Sequence, residues 1–248
     1  MSNWHETVAV FDLETTGIDV ATARVVTAYV GVLGPDGAVL EAATWLADPG
    51  VEIPAGAAAV HGISTERARA EGRPARAVVG EIIAALQAVL DRGLPLVVYN
   101  APYDLTLLDR EARRHGVEPL GEVGEIGCVV DPLVIDKAVD RYRKGKRTLT
   151  AAAEVYGVPL EGAHDAGADA VAAGRVAQAL ARRFPERLAL PLAELHAAQV
   201  TWCDESNSSY EQFRRRSEPS FVVERGWPLR GVRAPHVELP PAAADALF

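Results

Sequence analysis

Two hydrophobic periods divide the chain. Thr7 to Leu13 is an almost continuous apolar run that reads as a buried strand, and Arg24 to Leu33, "RVVTAYVGVL", reads as a second. Gly34-Pro35-Asp36-Gly37 is a turn signal, and Ala38 to Leu46 follows as a third strand, which predicts an antiparallel meander. The stretch "VEIPAGAAAVHGIS" reads as a loop. A longer period then takes over, with a helix near Thr65 to Ala70 and another from Ala75 to Leu90, whose Ile82, Ile83, Leu86 and Leu90 share one face. Leu96 to Tyr99, "LVVY", is short and β-branched, as a central buried strand should be. Pro102 opens a helix to about His115, "IGCVVDPL" near 126 to 133 is another short strand, Leu149 to Tyr156 is a helix ending at Gly157, and Asp165 to Arg183 is a long helix. A meander followed by alternating helices and short strands predicts an α/β domain: a mixed five-stranded sheet with helices on both faces. That layout closes near Phe184-Pro185, giving a domain at 1–184, a C-terminal helical extension at 185–232 and a Pro/Ala-rich mobile tail at 233–248.

Composition narrows the class. With 248 residues, 49% of them hydrophobic, the chain can bury one sizeable core. Cys128 and Cys203 form no CxxC pair and are too few for a disulfide framework, which fits a reducing cytoplasm. The N-terminus "MSNWHETVAV" lacks a signal-peptide pattern, and no apolar run approaches the ~18 residues of a membrane span. A net charge of −9 argues against nucleic acid if spread evenly, but Arg141 to Arg147 holds five cations in seven residues and Arg214-Arg215-Arg216 adds a second cluster. Each, taken alone, reads as a solvated surface run.

The first strand carries the chemistry. In "VFDLETTG", Asp12 and Glu14 point to the same face, about 6.6 Å apart at roughly 3.3 Å of rise per residue. The two like charges repel, and burying either without a partner costs several kcal/mol, so something positive should sit between them. Asp104, in "YNAPYDLTLL", falls in the first turn of a helix, where alone it reads as a capping charge. Asp169, in "HDAGADAVAAGRVAQALARR", shares the apolar face of Ala173, Val176 and Leu180, opposite Gln178 and Arg182, and small residues around it let the helix approach the sheet. His164 immediately precedes that helix, and a histidine is the usual general base near neutral pH. Four carboxylates and one imidazole, without a cysteine or histidine cluster, suit magnesium or manganese over zinc. Two such ions about 4 Å apart are the usual arrangement for phosphodiester hydrolysis.

"FDLETTG", "YNAPYDLTLL" and "HDAGAD" together resemble, in order and spacing, the three exonuclease motifs of the DEDD superfamily, histidine subclass, the DnaQ-like family of the proofreading epsilon subunits of bacterial DNA polymerases, over about residues 7 to 184. "VHGIS" at 60 to 64 resembles that family's loop beside the terminal nucleotide. The resemblance implies a ribonuclease H-like fold and stepwise 3′ to 5′ hydrolysis of single-stranded DNA ends, releasing nucleoside 5′-monophosphates, in proofreading or repair. It implies Asp12, Glu14, Asp104 and Asp169 as ligands of two Mg2+ or Mn2+ ions, His164 as the base, and Leu13, Thr15, Thr16 and His61 as holders of the last nucleotide. Tyr103 stands where phenylalanine is frequent, and Gly167 where a bulkier residue is common. In this frame the run at 141 to 147 is a candidate track for the substrate backbone. A DNA polymerase or a sliding clamp is the partner implied, although the terminal "ALF" lacks the glutamine of a clamp peptide. The enzyme alternative is the same chemistry on RNA 3′ ends. A non-catalytic binding module ranks lower, because it predicts a broken acidic set. Trp202, Tyr210, Phe213 and Trp227, interleaved with arginines, read first as packing of a helix folded back on the domain.

Overall fold

The computed structural model describes residues 3–121, 126–160 and 162–231. The tail at 233–248, with its "ALF", lies outside the described residues. The sheet is built from β1 (Val8–Thr15), β2 (Val25–Leu33), β3 (Val39–Asp48), β4 (Arg73–Pro74), β5 (Leu96–Val97) and β6 (Val129–Val130). Its order is β4-β3-β2-β1-β5-β6. Strands β1, β2 and β3 pair antiparallel, whereas β5 and β6 add in parallel on the other side of β1. Among the described residues the sheet therefore has six strands rather than five. The sixth is a two-residue pairing of Arg73 and Pro74 with Ala47 and Asp48, too short for any hydrophobic alternation to mark it.

The helices are α1 (Ala55–His61), α2 (Thr65–Glu71), α3 (Ala75–Asp91), α4 (Ala101–His115), α5 (Pro132–Val139), α6 (Leu149–Tyr156), α7 (Ala166–Arg183), α8 (Pro185–Leu188) and α9 (Leu192–Arg214). Two of these correct the sequence reading. The expected loop at "VEIPAGAAAVHGIS" contains α1, an alanine-rich pair of turns that buries none of its residues and so shows no apolar stripe; Gly62, at φ 75°, ends it. The expected strand near 126 to 133 is only two residues long, because Asp131 caps the next helix, accepting from Leu133 N at 2.9 Å, and Pro132 opens it.

β1 lies at the centre of the sheet, and Val8, Ala9, Val10 and Phe11 are fully buried. Its alternation splits the core in two. Ala9, Phe11 and Leu13 pack with Val78, Ile82 and Leu86 of α3 and Leu105 and Leu108 of α4. Val8 and Val10 pack with Ala170, Ala173, Val176 and Leu180 of α7. That second face also carries Asp12 and Glu14. α7 approaches it closely: a Cβ on Gly174 would come within 2.5 Å of both Val10 Cγ1 and Leu33 Cδ1. Gln178 is not on a solvated face as its spacing suggested. It is 1% exposed, and its Nε2 donates to His5 O at 3.0 Å and Gly34 O at 2.8 Å.

The C-terminal extension closes the β6 edge of the sheet. His196 Nδ1 accepts from Val129 N at 3.0 Å, and Gln199 Nε2 donates to Val129 O at 3.0 Å while its Oε1 accepts from Asp131 N at 2.6 Å. Side chains of α9 thus satisfy backbone groups that an edge strand would leave open. Leu195 joins the α7 side of the core, and Trp227 and Leu229 join the α4 side. No helix among the described residues is long and apolar enough to cross a membrane.

Candidate active site

Three elements deliver the acidic set to the C-terminal end of β1. Asp12 and Glu14 come from the strand itself, whose register with β2 shifts between Glu14 and Thr15, a bulge immediately after the second carboxylate. Asp104 comes from the first turn of α4. There Asn100 adopts φ 63°, and the free amides of Asn100 and Ala101 both donate to the buried Asp131 carboxylate at 3.0 Å. Asp104 itself is 4% exposed, and its Oδ1 accepts from Leu13 N at 3.2 Å. Asp169 comes from the first turn of α7, capped by Asp165 Oδ1, which accepts from Ala168 N at 3.0 Å.

His164 sits on the loop entering α7 with φ 71°, and its backbone N donates to Asp169 Oδ2 at 3.1 Å. Glu14, His164 and Asp169 offer ligand atoms that all lie within 4.8 Å of one another. Gly167 leaves room for Tyr29, since a Cβ there would meet the Tyr29 ring at 3.1 Å. The bulk absent from this position is supplied by the tyrosine of β2.

The electrostatics follow from crowding. Burial pushes the Asp12 carboxyl well above its ordinary range, and the negative charges of Asp104, Asp169 and Glu14 push it further. Burial, then Asp169 and Asp165, raise Glu14 to about 7. Asp104 is also raised by burial, in spite of the Leu13 amide, and Asp169 by burial in spite of the His164 amide. Asp169 Oδ1 is buried without a hydrogen-bond partner. A set of mutually repelling carboxyls with one orphaned oxygen fits a divalent cation, for which Asp12, Glu14, Asp104 and Asp169 supply hard oxygen donors.

The remaining expected residues lie around this set. Leu13 is 5% exposed, its side chain in the core on the face away from the carboxylates. Thr15 Oγ1 donates to Gly17 O at 2.9 Å and sits 2.5 Å from Tyr103 Oη, which itself donates to Gly17 O at 2.6 Å. The hydroxyl that distinguishes Tyr103 from phenylalanine therefore ties α4 to the end of β1. Thr16 Oγ1 accepts from Arg24 N at 3.0 Å. His61 lies against the Thr15 backbone, and burial lowers its pKa.

The basic run contributes less than its charge suggested. Arg143 and Arg147 turn inward to the fully buried Asp136, at 2.6 and 2.8 Å, leaving Arg141, Lys144 and Lys146 exposed. Asp165 and Asp131 were not singled out from the sequence. Asp165 follows His164 in "HDAGAD" with the spacing of a helix cap, a legible signal, whereas Asp131 became visible only once β6 and α5 were separated.

The α/β sheet thus brings Glu14, His164 and Asp169 together at the end of its central strand, with Asp12 and Asp104 beside them, an arrangement that suits a divalent cation. A sequence profile of the exonuclease family RNase_T matches residues 9–177, and the chain belongs to that family. A comparison with curated proteins finds no match. Among solved structures, the fold is similar to E. coli exonuclease I in complex with a dT13 oligonucleotide, at TM-score 0.63 and 21% identity over 74% of this chain and 43% of that one. It is similar also to the zinc-bound E. coli exonuclease I–ssDNA complex, at 0.62 and 22% over 73% and 41%. Exonuclease I from Methylocaldum szegediense gives 0.61 and 20% over 73% and 42%. The chain thus spans less than half the length of these proteins, and the fold it shares with them is the ribonuclease H-like exonuclease fold.

Proposed function

We propose that this chain is a metal-dependent 3′ to 5′ exonuclease of the histidine subclass, hydrolysing the terminal phosphodiester of single-stranded DNA and releasing nucleoside 5′-monophosphates. The observation that carries the reading is the cluster of Glu14, His164 and Asp169, whose ligand atoms lie within 4.8 Å of one another and whose Asp169 carboxyl carries the orphaned oxygen, beside a buried Asp12 on which Asp104, Asp169 and Glu14 all act. Two Mg2+ or Mn2+ ions, when bound, would supply charge neutralisation and Lewis-acid activation. The protein's own groups do the rest. Asp12, Glu14 and Asp169 hold the cation site together, and Asp104, fixed by the Leu13 amide, faces it from α4. His164, on an exposed loop hinged to Asp169 through its backbone, is placed to take a proton from the attacking water. Thr15, Thr16 and His61 border the position of the last nucleotide. DNA as substrate is supported by the oligonucleotide complexes of exonuclease I, whose fold this chain shares. A role in proofreading or repair follows from that chemistry.

The test follows a 5′-labelled single strand with Mg2+, Mn2+ or chelator. A ladder shortening from the 3′ end, lost with chelator and reduced on the order of a thousandfold in Asp12→Ala, is expected. Full activity in Asp12→Ala would sink the mechanism, and faster degradation of an RNA strand would move the substrate to RNA.

A further inference from the structure

The exonuclease profile ends at residue 177, yet the last described stretch of the chain returns to α4, the helix that carries Asp104. Trp227 and Leu229, 2% and 5% exposed, root this stretch in the core. Arg230 N then donates to Thr106 Oγ1 at 2.9 Å, two residues beyond Asp104 on α4. This bond fixes the Arg230 backbone beside α4, and its charge reaches the Tyr103 hydroxyl, whose pKa it lowers against the raising effect of Asp104 and Glu14. Two turns along α4 from Tyr103, on the same face, stands Arg110.

Arg110 and Arg230 face the same carboxylate, Glu224, at 3.6 and 3.8 Å, both beyond hydrogen-bond length. The two guanidiniums share one carboxylate without a hydrogen bond to it, Asp19 is the other acid near Arg110, and the arginine side chains are 33% and 27% exposed. Other arginines near the domain differ. Arg143 and Arg147 are committed to buried Asp136, and Arg114 to buried Glu111. The loop after Gly17 borders the same rim, since Arg110 acts on Asp19, and beside it Ile18 is 91% exposed. In a chain of net charge −9, this loosely paired cationic pair lies on and beside α4, the helix that carries Asp104.

We infer that Arg230 and Arg110 form a phosphate-binding rim that grips the backbone of the single strand at phosphates beyond the scissile one. A guanidinium fork matches a phosphodiester, and such contacts position a strand without reading its sequence. The C-terminal extension is then part of the substrate site. This inference rests on the exonuclease reading and adds the residues that distinguish a polynucleotide from a single phosphodiester.

The test compares two substrates: a labelled oligothymidylate, and the p-nitrophenyl ester of thymidine 5′-monophosphate, which carries one phosphate. For Arg110→Ala/Arg230→Ala, KM for the oligonucleotide should rise about tenfold and the oligonucleotide-to-ester ratio of kcat/KM should fall by a similar factor. The slope of log affinity against log salt should flatten by about 0.7 for each cation removed. Glu224→Gln should act oppositely and lower the oligonucleotide KM, because it frees both guanidiniums. An RNA oligonucleotide should show the same KM rise, as the contact is to phosphate. Equal losses on both substrates, an unaltered salt slope, or a KM that rises in Glu224→Gln would overturn the inference while leaving the exonuclease reading in place. A wild-type protein inactive on both substrates would remove that reading and the rim with it.

Discussion

Glu14 shows what the site costs the fold. Its carboxyl titrates near 7 rather than at the ordinary 4.5, because it is partly buried beside Asp169 and Asp165. A folded pKa above the unfolded one means that the native state keeps a proton the unfolded chain has lost, so stability falls as pH rises from about 4.5 through 7. Asp12, Asp104 and Asp169 shift in the same direction. In calorimetric scans the metal-free protein should lose Tm across that window, Glu14→Gln should flatten the loss, and Mg2+ or Mn2+ should raise Tm more at pH 8 than at pH 5. A Tm indifferent to metal at pH 8 would contradict a cation site here. The acidic pair was legible in the sequence because strand alternation alone places Asp12 and Glu14 on one face. Thr15 and Tyr103 were legible as residue types, but not their shared bond to Gly17, which needs α4 beside β1.

At the scale of elements, the approach of α7 to the sheet decides whether Asp169 reaches the other acids. Gly174→Val would drive side-chain atoms into Val10 and Leu33, where even a Cβ stands 2.5 Å away. A loss of about 1–3 kcal/mol is expected, with a larger fall in kcat than in substrate affinity, checked by urea titration and steady-state kinetics. Asp131 holds the start of α4 from the other side of the site. Asp131→Ala strands the amides of Ala101 and Leu133, for a loss of about 3 kcal/mol, or roughly 6 to 12 °C in Tm. The long helices and the central strands were legible because their periods are sustained, although only α7 among the long helices starts from a side-chain cap. α1 and β4 were not, because neither buries a patterned face. α5 was absorbed into a strand because Val129 to Leu133 is apolar on both sides of its cap.

Across the whole molecule, the extension is structural as well as proposed to be functional. α9 satisfies the edge of β6 through His196 and Gln199, and Leu188, Leu195, Trp227 and Leu229 fill both halves of the core. A chain cut after residue 184 should therefore be soluble only poorly and melt well below the full chain, by more than about 10 °C, in dynamic scattering and calorimetry. An equally stable truncated domain would show that the extension merely rests on the fold.

The bond from Trp227 Nε1 to Asp131, at 3.4 Å, joins the end of the described chain to the carboxylate that fixes the start of α4. On the ribosome, the acids of β1, α4 and α7 emerge before that indole. A polypeptide released early, by a premature stop or a nick in the extension, carries all four acids but lacks this fastening and Arg230. The site as proposed is thus complete only when synthesis has passed Arg230, so an abortive translation product carries the acids without the rim.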